Sequence, residues 1–136
     1  MFKRSLLSAL LLSVILPVNA QQGGAATTLP VEQFKAELAR TKGLLLDVRT
    51  PEECAEGIIE GAVILDYSAP GFMEGLGKLD RERPVFIYCA AGGRSRQTMT
   101  RMQRMGFREV RDLEGGMGAW REAGQPVVVA GSGSKR

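Results

Sequence analysis

The chain has 136 residues, with 18 basic against 15 acidic side chains, two cysteines and no histidine. That length supports one domain around one core, and the near-balanced charge excludes the broad basic footprint of a nucleic-acid binder. The lack of histidine excludes Ser-His-Asp and Cys-His catalysis within the chain and removes the commonest zinc ligand.

Residues 1–20 have the layout of a secretory signal peptide. Lys3 and Arg4 are followed by an apolar run from Leu6 to Leu16, and Val18-Asn19-Ala20 offers small residues for cleavage after Ala20. The run falls short of the roughly 20 apolar residues that a membrane-spanning helix needs, although an uncleaved anchor is the alternative. Cleavage would remove two basic residues and no acidic one, leaving 116 residues with 16 basic against 15 acidic side chains. The expected organisation is a leader at 1–20, a flexible polar linker at 21–28, a folded domain at 29–129 and a disordered Gly-Ser tail at 130–136.

Within the domain, Leu29 opens a short strand and Pro30 leads a helix over 31–40. The apolar run 44–48, interrupted only by Asp47, reads as a buried strand. A short helix follows at 51–56, with acidic residues in its first turn where the helix dipole favours them. A strand is expected at 61–65, a helix at 72–78, a strand at 85–88 and a helix at 95–105. Met99, Met102 and Met105 would form the buried stripe of that last helix, with Gly106 as its C-terminal cap and Phe107 closing over it. A final strand at 110–113 and helix at 116–123 complete the series, with Trp120 as a core anchor. Strands alternating with helices predict an α/β fold, a mostly parallel sheet covered on both faces.

The segment VFIYCAAGGRS, beginning at Val85, carries the chemistry. Cys89 stands at the carboxyl end of a strand, where open α/β sheets bind ligands. Ala90, Ala91, Gly92 and Gly93 are small enough for successive backbone N–H groups to turn inward as an anion-binding nest. The helix from Ser95 aims its positive end at the same place, and Arg94 adds a fixed charge. These features favour thiolate over thiol without a histidine base, whereas an inert core cysteine is the plain alternative. The other arginines nearby, Arg96, Arg101, Arg104 and Arg108, read as a solvated helix face.

Four motifs in order resemble the single-domain rhodaneses, the thiosulfate sulfurtransferase-like family. They are LLLDVRTPEEC, EGIIEGAVIL, VFIYCAAGGRS and MGFREVRDLEGGMGAW, within a stretch of similarity over about residues 29–129. The chain departs from the family pattern at Ile58, where histidine is frequent, at Cys54, where an aromatic is common, and at Ala90, where arginine is frequent. The resemblance implies a three-layer sandwich and a sulfur relay with no cofactor. Cys89 would attack a small anionic sulfur donor such as thiosulfate and carry a persulfide held by the amides of residues 90–95. A thiol, cyanide or a protein acceptor would then take the sulfur. Arg94 would orient the donor, and Asp47 and Arg49 would support the loop as a charge pair or merely cap their strand and helix. Cys54 would be a small core residue, a resolving thiol or a disulfide partner of Cys89. The resemblance and the leader together imply a monomer exported to the periplasm or beyond, bound to neither nucleic acid nor membrane. A persulfide carrier without fast turnover and, less well supported, a phosphatase are the competing readings.

Overall fold

The computed structural model describes residues 25–129. The expectations for the leader and for the tail beyond Val129 lie outside the described residues.

Five parallel strands form one sheet in the order β1-β5-β4-β2-β3. They are β1 (Ala25–Leu29), β2 (Leu44–Asp47), β3 (Val63–Ile64), β4 (Val85–Tyr88) and β5 (Glu109–Leu113). The helices are α1 (Val31–Thr41), α2 (Pro51–Ala55), α3 (Phe72–Gly77), α4 (Gly93–Arg104) and α5 (Gly116–Glu122). Strand alternation sorts the core into two layers. Leu46, Val48, Val85, Ile87, Cys89 and Val110 pack with Phe72 and Leu76 of α3 and Met102 of α4. Leu45, Phe86, Tyr88 and Leu113 pack with Phe34 of α1 and Met117 and Trp120 of α5. Each strand side chain therefore points toward one pair of helices or the other, as the twofold strand period requires.

Two expectations change and a third is refined. The strand at Leu29 begins at Ala25, so residues 25–28 belong to the sheet edge and not to a linker. Ala-Ala-Thr-Thr has little apolar content to announce a strand, and pairing with β5 orders it. Helix α4 begins at Gly93, two residues early, because Gly92 takes the left-handed conformation (φ 106°) and turns the chain directly into the helix. The fully buried residues of α4 are Ser95, Thr98 and Met102, while Met99 and Met105 are half-buried and flank Met102 against the same core cluster. A spacing of three drifts around a helix of 3.6 residues per turn, which leaves the outer two methionines at the edges of that face.

The end of α4 follows the sequence expectation. Gly106 is left-handed (φ 87°), its N–H bonds Gln103 O at 3.2 Å, and Phe107 N–H bonds Met102 O at 3.1 Å. This Schellman arrangement buries Phe107 completely.

Candidate active site

Cys89 continues the alternation of β4 by one residue and so faces α4. Its exposure is 1%. Gly92 N–H donates to its Sγ at 3.1 Å, and Ser95 Oγ lies 3.4 Å from the same sulfur. Ala91 and Gly93 are exposed and form the rim above it.

Helix α5 holds the outer side of this cradle. Met117 N–H donates to Cys89 O at 2.8 Å and Gly118 N–H to Ala90 O at 3.0 Å. The first turn of α5 thus binds the loop carbonyls from outside, leaving loop N–H groups to face the sulfur. Only glycine fits at 116: its φ is +58°, and a Cβ there would stand 2.4 Å from Cys89 O and 2.8 Å from the carbonyl carbon of Ala90.

The electrostatic consequence is a lowered Cys89 pKa. Burial opposes the charged form. Hydrogen bonds from the Ser95 hydroxyl and from the N–H groups of Ser95, Gly92 and Ala91 outweigh it and hold the thiol below its ordinary value. Ser95 Oγ also lies 3.3 Å from Gly92 O, and a thiolate is the stronger acceptor for its single proton.

Arg94 meets a carboxylate at the loop. Its Nη1 and Nη2 each donate to a carboxylate oxygen of Glu53, both at 2.7 Å, so both ends of its fork are engaged within the chain. Glu53 is fixed independently by a capping box at the start of α2. Thr50 N–H donates to Glu53 Oε2 at 2.8 Å, and Glu53 N–H donates to Thr50 Oγ1 at 3.3 Å. The Arg94 hydrogen bonds, opposed by partial burial and helped by the Thr50 amide, hold the Glu53 pKa down at about 2. Arg94 still feels the Cys89 charge, although Glu53 is its dominant partner.

Asp47 and Arg49 form a charge pair, as one of the two sequence readings expected. Arg49 Nη2 lies 2.7 Å from Asp47 Oδ2, and both side chains are buried. Burial works against the guanidinium charge, but the Asp47 hydrogen bonds and charge more than restore it, so the Arg49 pKa is raised. Arg49 also donates to Glu53 O at 3.3 Å and Gly57 O at 2.8 Å. The pair therefore fixes helix α2, which presents Glu53 to Arg94.

Cys54 is a free, buried thiol on α2, like Cys89 in burial and unlike it in surroundings. Burial and the Asp47 carboxylate push it up to about 11. That fits the small-core-residue reading.

Sequence reasoning missed two residues, Glu53 and Asp112. The motif Thr-x-x-Glu signals Glu53 as a capping residue, but nothing local signals its contact with an arginine 41 residues away. The Gly115-Gly116 pair reads from sequence as a tight backbone approach into the last helix, and Gly116 makes that approach against the carbonyls of Cys89 and Ala90. Asp112 is fully buried on β5, accepts from Thr28 Oγ1 at 3.2 Å and faces the Ser95 hydroxyl. Burial raises its pKa, with Thr28 and the nearby Ser95 hydroxyl acting against the rise, and its Oδ1 has no hydrogen-bond partner. No group of three or more His, Cys, Asp or Glu side chains converges among the described residues to hold a metal.

Fold and site together define a parallel α/β protein with an amide-cradled cysteine at the carboxyl end of its sheet. The family described as the rhodanese-like domain matches residues 30–123. A sulfurtransferase of Allochromatium vinosum is 36% identical over 99 residues, covering 72% of this chain and 91% of that protein. A thiosulfate sulfurtransferase GlpE of Stutzerimonas stutzeri is 32% identical over 94 residues, covering 68% and 83%. A rhodanese-related crystal structure from Thermoplasma volcanium superposes with a TM-score of 0.67 at 28% identity, covering 76% of this chain and 98% of that one. The chain belongs to the rhodanese-like domain family, whose relatives support sulfurtransferase activity at the family level.

Proposed function

We propose that this chain is an exported sulfurtransferase that moves a sulfane sulfur from thiosulfate or a related donor to a thiophilic acceptor through a persulfide on Cys89. The observation that carries this reading is the histidine-free thiolate cradle, with Gly92 N–H at 3.1 Å from Sγ and the Ser95 hydroxyl beside it.

The chemistry follows from that cradle. The Cys89 thiolate attacks the outer sulfur of the donor, forming a new S–S bond. The donor's own S–S bond breaks, and sulfite leaves with the electron pair. The same N–H groups then face the terminal sulfur of the anionic persulfide. Attack by cyanide, a thiol or a protein acceptor on that sulfur regenerates the thiolate, which makes the cycle a covalent, two-step exchange. The active form is the thiolate, so the loading rate should rise with pH through the lowered Cys89 pKa and level off above it. The cycle needs no cofactor and no nucleic acid, the proposed working form is a monomer, and the expected compartment is the periplasm or the exterior.

The 1% exposure of Cys89 favours a second reading, a persulfide carrier that releases its sulfur only to a dedicated partner. Intact mass of the reduced protein, before and after thiosulfate and then after a cyanide chase, tests the shared chemistry. The account expects a gain of one sulfur atom, its loss to cyanide, and neither in Cys89→Ser. Thiosulfate turnover in Cys89→Ser would sink the mechanism. Slow turnover in a fully loaded wild type would favour the carrier.

A further inference from the structure

Two of the arginines around the loop, Arg49 and Arg94, are compensated by carboxylates. Arg49 is buried against Asp47, and Arg94 is held by both oxygens of Glu53. Arg96 is exposed and directs its Nε toward Gly92 O at 3.2 Å. The residue next to the nucleophile is Ala90, which brings no charge. On the acidic side are Asp47, Glu53 and the buried Asp112, together with the thiolate itself.

Glu53 is more than a surface partner for Arg94. The capping box holds it from the α2 side whether or not Arg94 is present. Its pKa of about 2 keeps it charged wherever the protein is folded and working. Arg94 and Glu53 are 30% and 34% exposed, so a donor that reaches Arg94 meets an ion pair and not a free guanidinium. A dianion would have to displace a carboxylate that is anchored elsewhere, or bind beside it against repulsion.

We propose that Glu53 is an internal counter-anion that occupies the Arg94 fork and biases the site toward sulfane donors carrying one negative charge or none. This rests on the sulfurtransferase reading and specifies its donor class. It makes Glu53 a specificity-determining residue acting through Arg94. The relevant reaction is the same for donors of either charge. Cys89 thiolate and thiosulfate give Cys89 persulfide and sulfite, whereas Cys89 thiolate and methanethiosulfonate give Cys89 persulfide and methanesulfinate. The two donors share the transferred sulfur and the tetrahedral leaving group and differ by one charge.

The experiment compares kcat/KM for thiosulfate and methanethiosulfonate in wild type, Glu53→Gln, Arg94→Gln and the double variant, with circular dichroism to confirm folding. Glutamine keeps one oxygen for the capping box while it removes the charge and turns the other Arg94 acceptor into an NH2 donor. The thiosulfate-to-methanethiosulfonate ratio should rise about tenfold in Glu53→Gln, through KM and not kcat, and the rise should shrink as salt is added. The rise should vanish in the double variant, since it requires Arg94. An unchanged ratio in Glu53→Gln, or a rise that persists without Arg94, would overturn the gate while leaving sulfur transfer intact. Failure of both donors to load Cys89 in wild type would overturn the gate and the sulfurtransferase reading together.

Discussion

Cys54 and Cys89 are equally buried, at 2% and 1% exposure, and chemically opposite. Burial first, and the Asp47 carboxylate beside it second, push the Cys54 thiol up to about 11. Cys89 receives the Gly92 amide at 3.1 Å and the Ser95 hydroxyl, and its thiol is pulled down despite burial. Burial disfavours both thiolates, so burial alone does not separate the two cysteines. The polar groups that replace water do: donors outweigh burial at Cys89, and a carboxylate adds to it at Cys54.

The comparison breaks most severely at the support of the cradle. Gly116→Ala would drive a Cβ to within 2.4 Å of Cys89 O, at a φ that alanine disfavours. The loop must shift, so sulfur loading should fall by at least about tenfold, the order expected when a preorganised donor is misplaced. Single-turnover loading by mass spectrometry measures this, and the helical circular dichroism should persist. If loading is undiminished, α5 does not hold the cradle.

A smaller effect should follow from Ser95→Ala. Losing one hydrogen-bond donor to a buried thiolate should raise the Cys89 pKa back toward the ordinary thiol value. The pH midpoint of loading would move up, with the high-pH plateau better preserved than the rate at neutral pH. No movement of the midpoint would assign the lowered pKa to the backbone amides alone.

The smallest effect belongs to Cys54→Ala, which should alter stability by about 1 kcal/mol and spare sulfur loading. Its signature lies in alkali. The Cys54 pKa is raised on folding, so its contribution is complete below the ordinary value of 9.0 and is lost as pH climbs toward about 11. Wild type should therefore lose stability relative to Cys54→Ala across that interval in denaturant titrations. Cys89 has the opposite sign, since its lowered pKa adds stability above the ordinary value that disappears as pH falls through the folded one.

Much of this contrast is legible in the sequence because it is local. The apolar run into Cys89, the small residues after it and the spacing to Ser95 lie within one strand, loop and helix. Asp47 and Arg49 are two residues apart, and their pairing is equally short-range. The missing parts are tertiary. Glu53 meets Arg94 across 41 residues, and Gly116 reaches the Cys89 carbonyl from a different helix. Asp112 lies on a strand that reads Glu-Val-Arg-Asp-Leu, where nothing local distinguishes a buried carboxyl from an exposed one. Strand β1 is hidden for a related reason, since Ala25–Thr28 acquires its conformation from pairing with β5. The Thr-x-x-Glu capping box was the one readable pointer to Glu53, and it named the helix start without naming the arginine.

The most direct test of the central claim is the ultraviolet thiolate absorbance of the reduced protein, titrated with pH in wild type, Cys54→Ala and Cys89→Ser. It reads ionisation without requiring a reagent to reach either sulfur. Taken as differences from wild type, which cancel the tyrosine background, the account predicts that the absorbance lost in Cys89→Ser titrates below the ordinary thiol range and that the absorbance lost in Cys54→Ala titrates near pH 11. A Cys89 transition at or above the ordinary range would contradict the claim that donors, and not burial, govern this thiol.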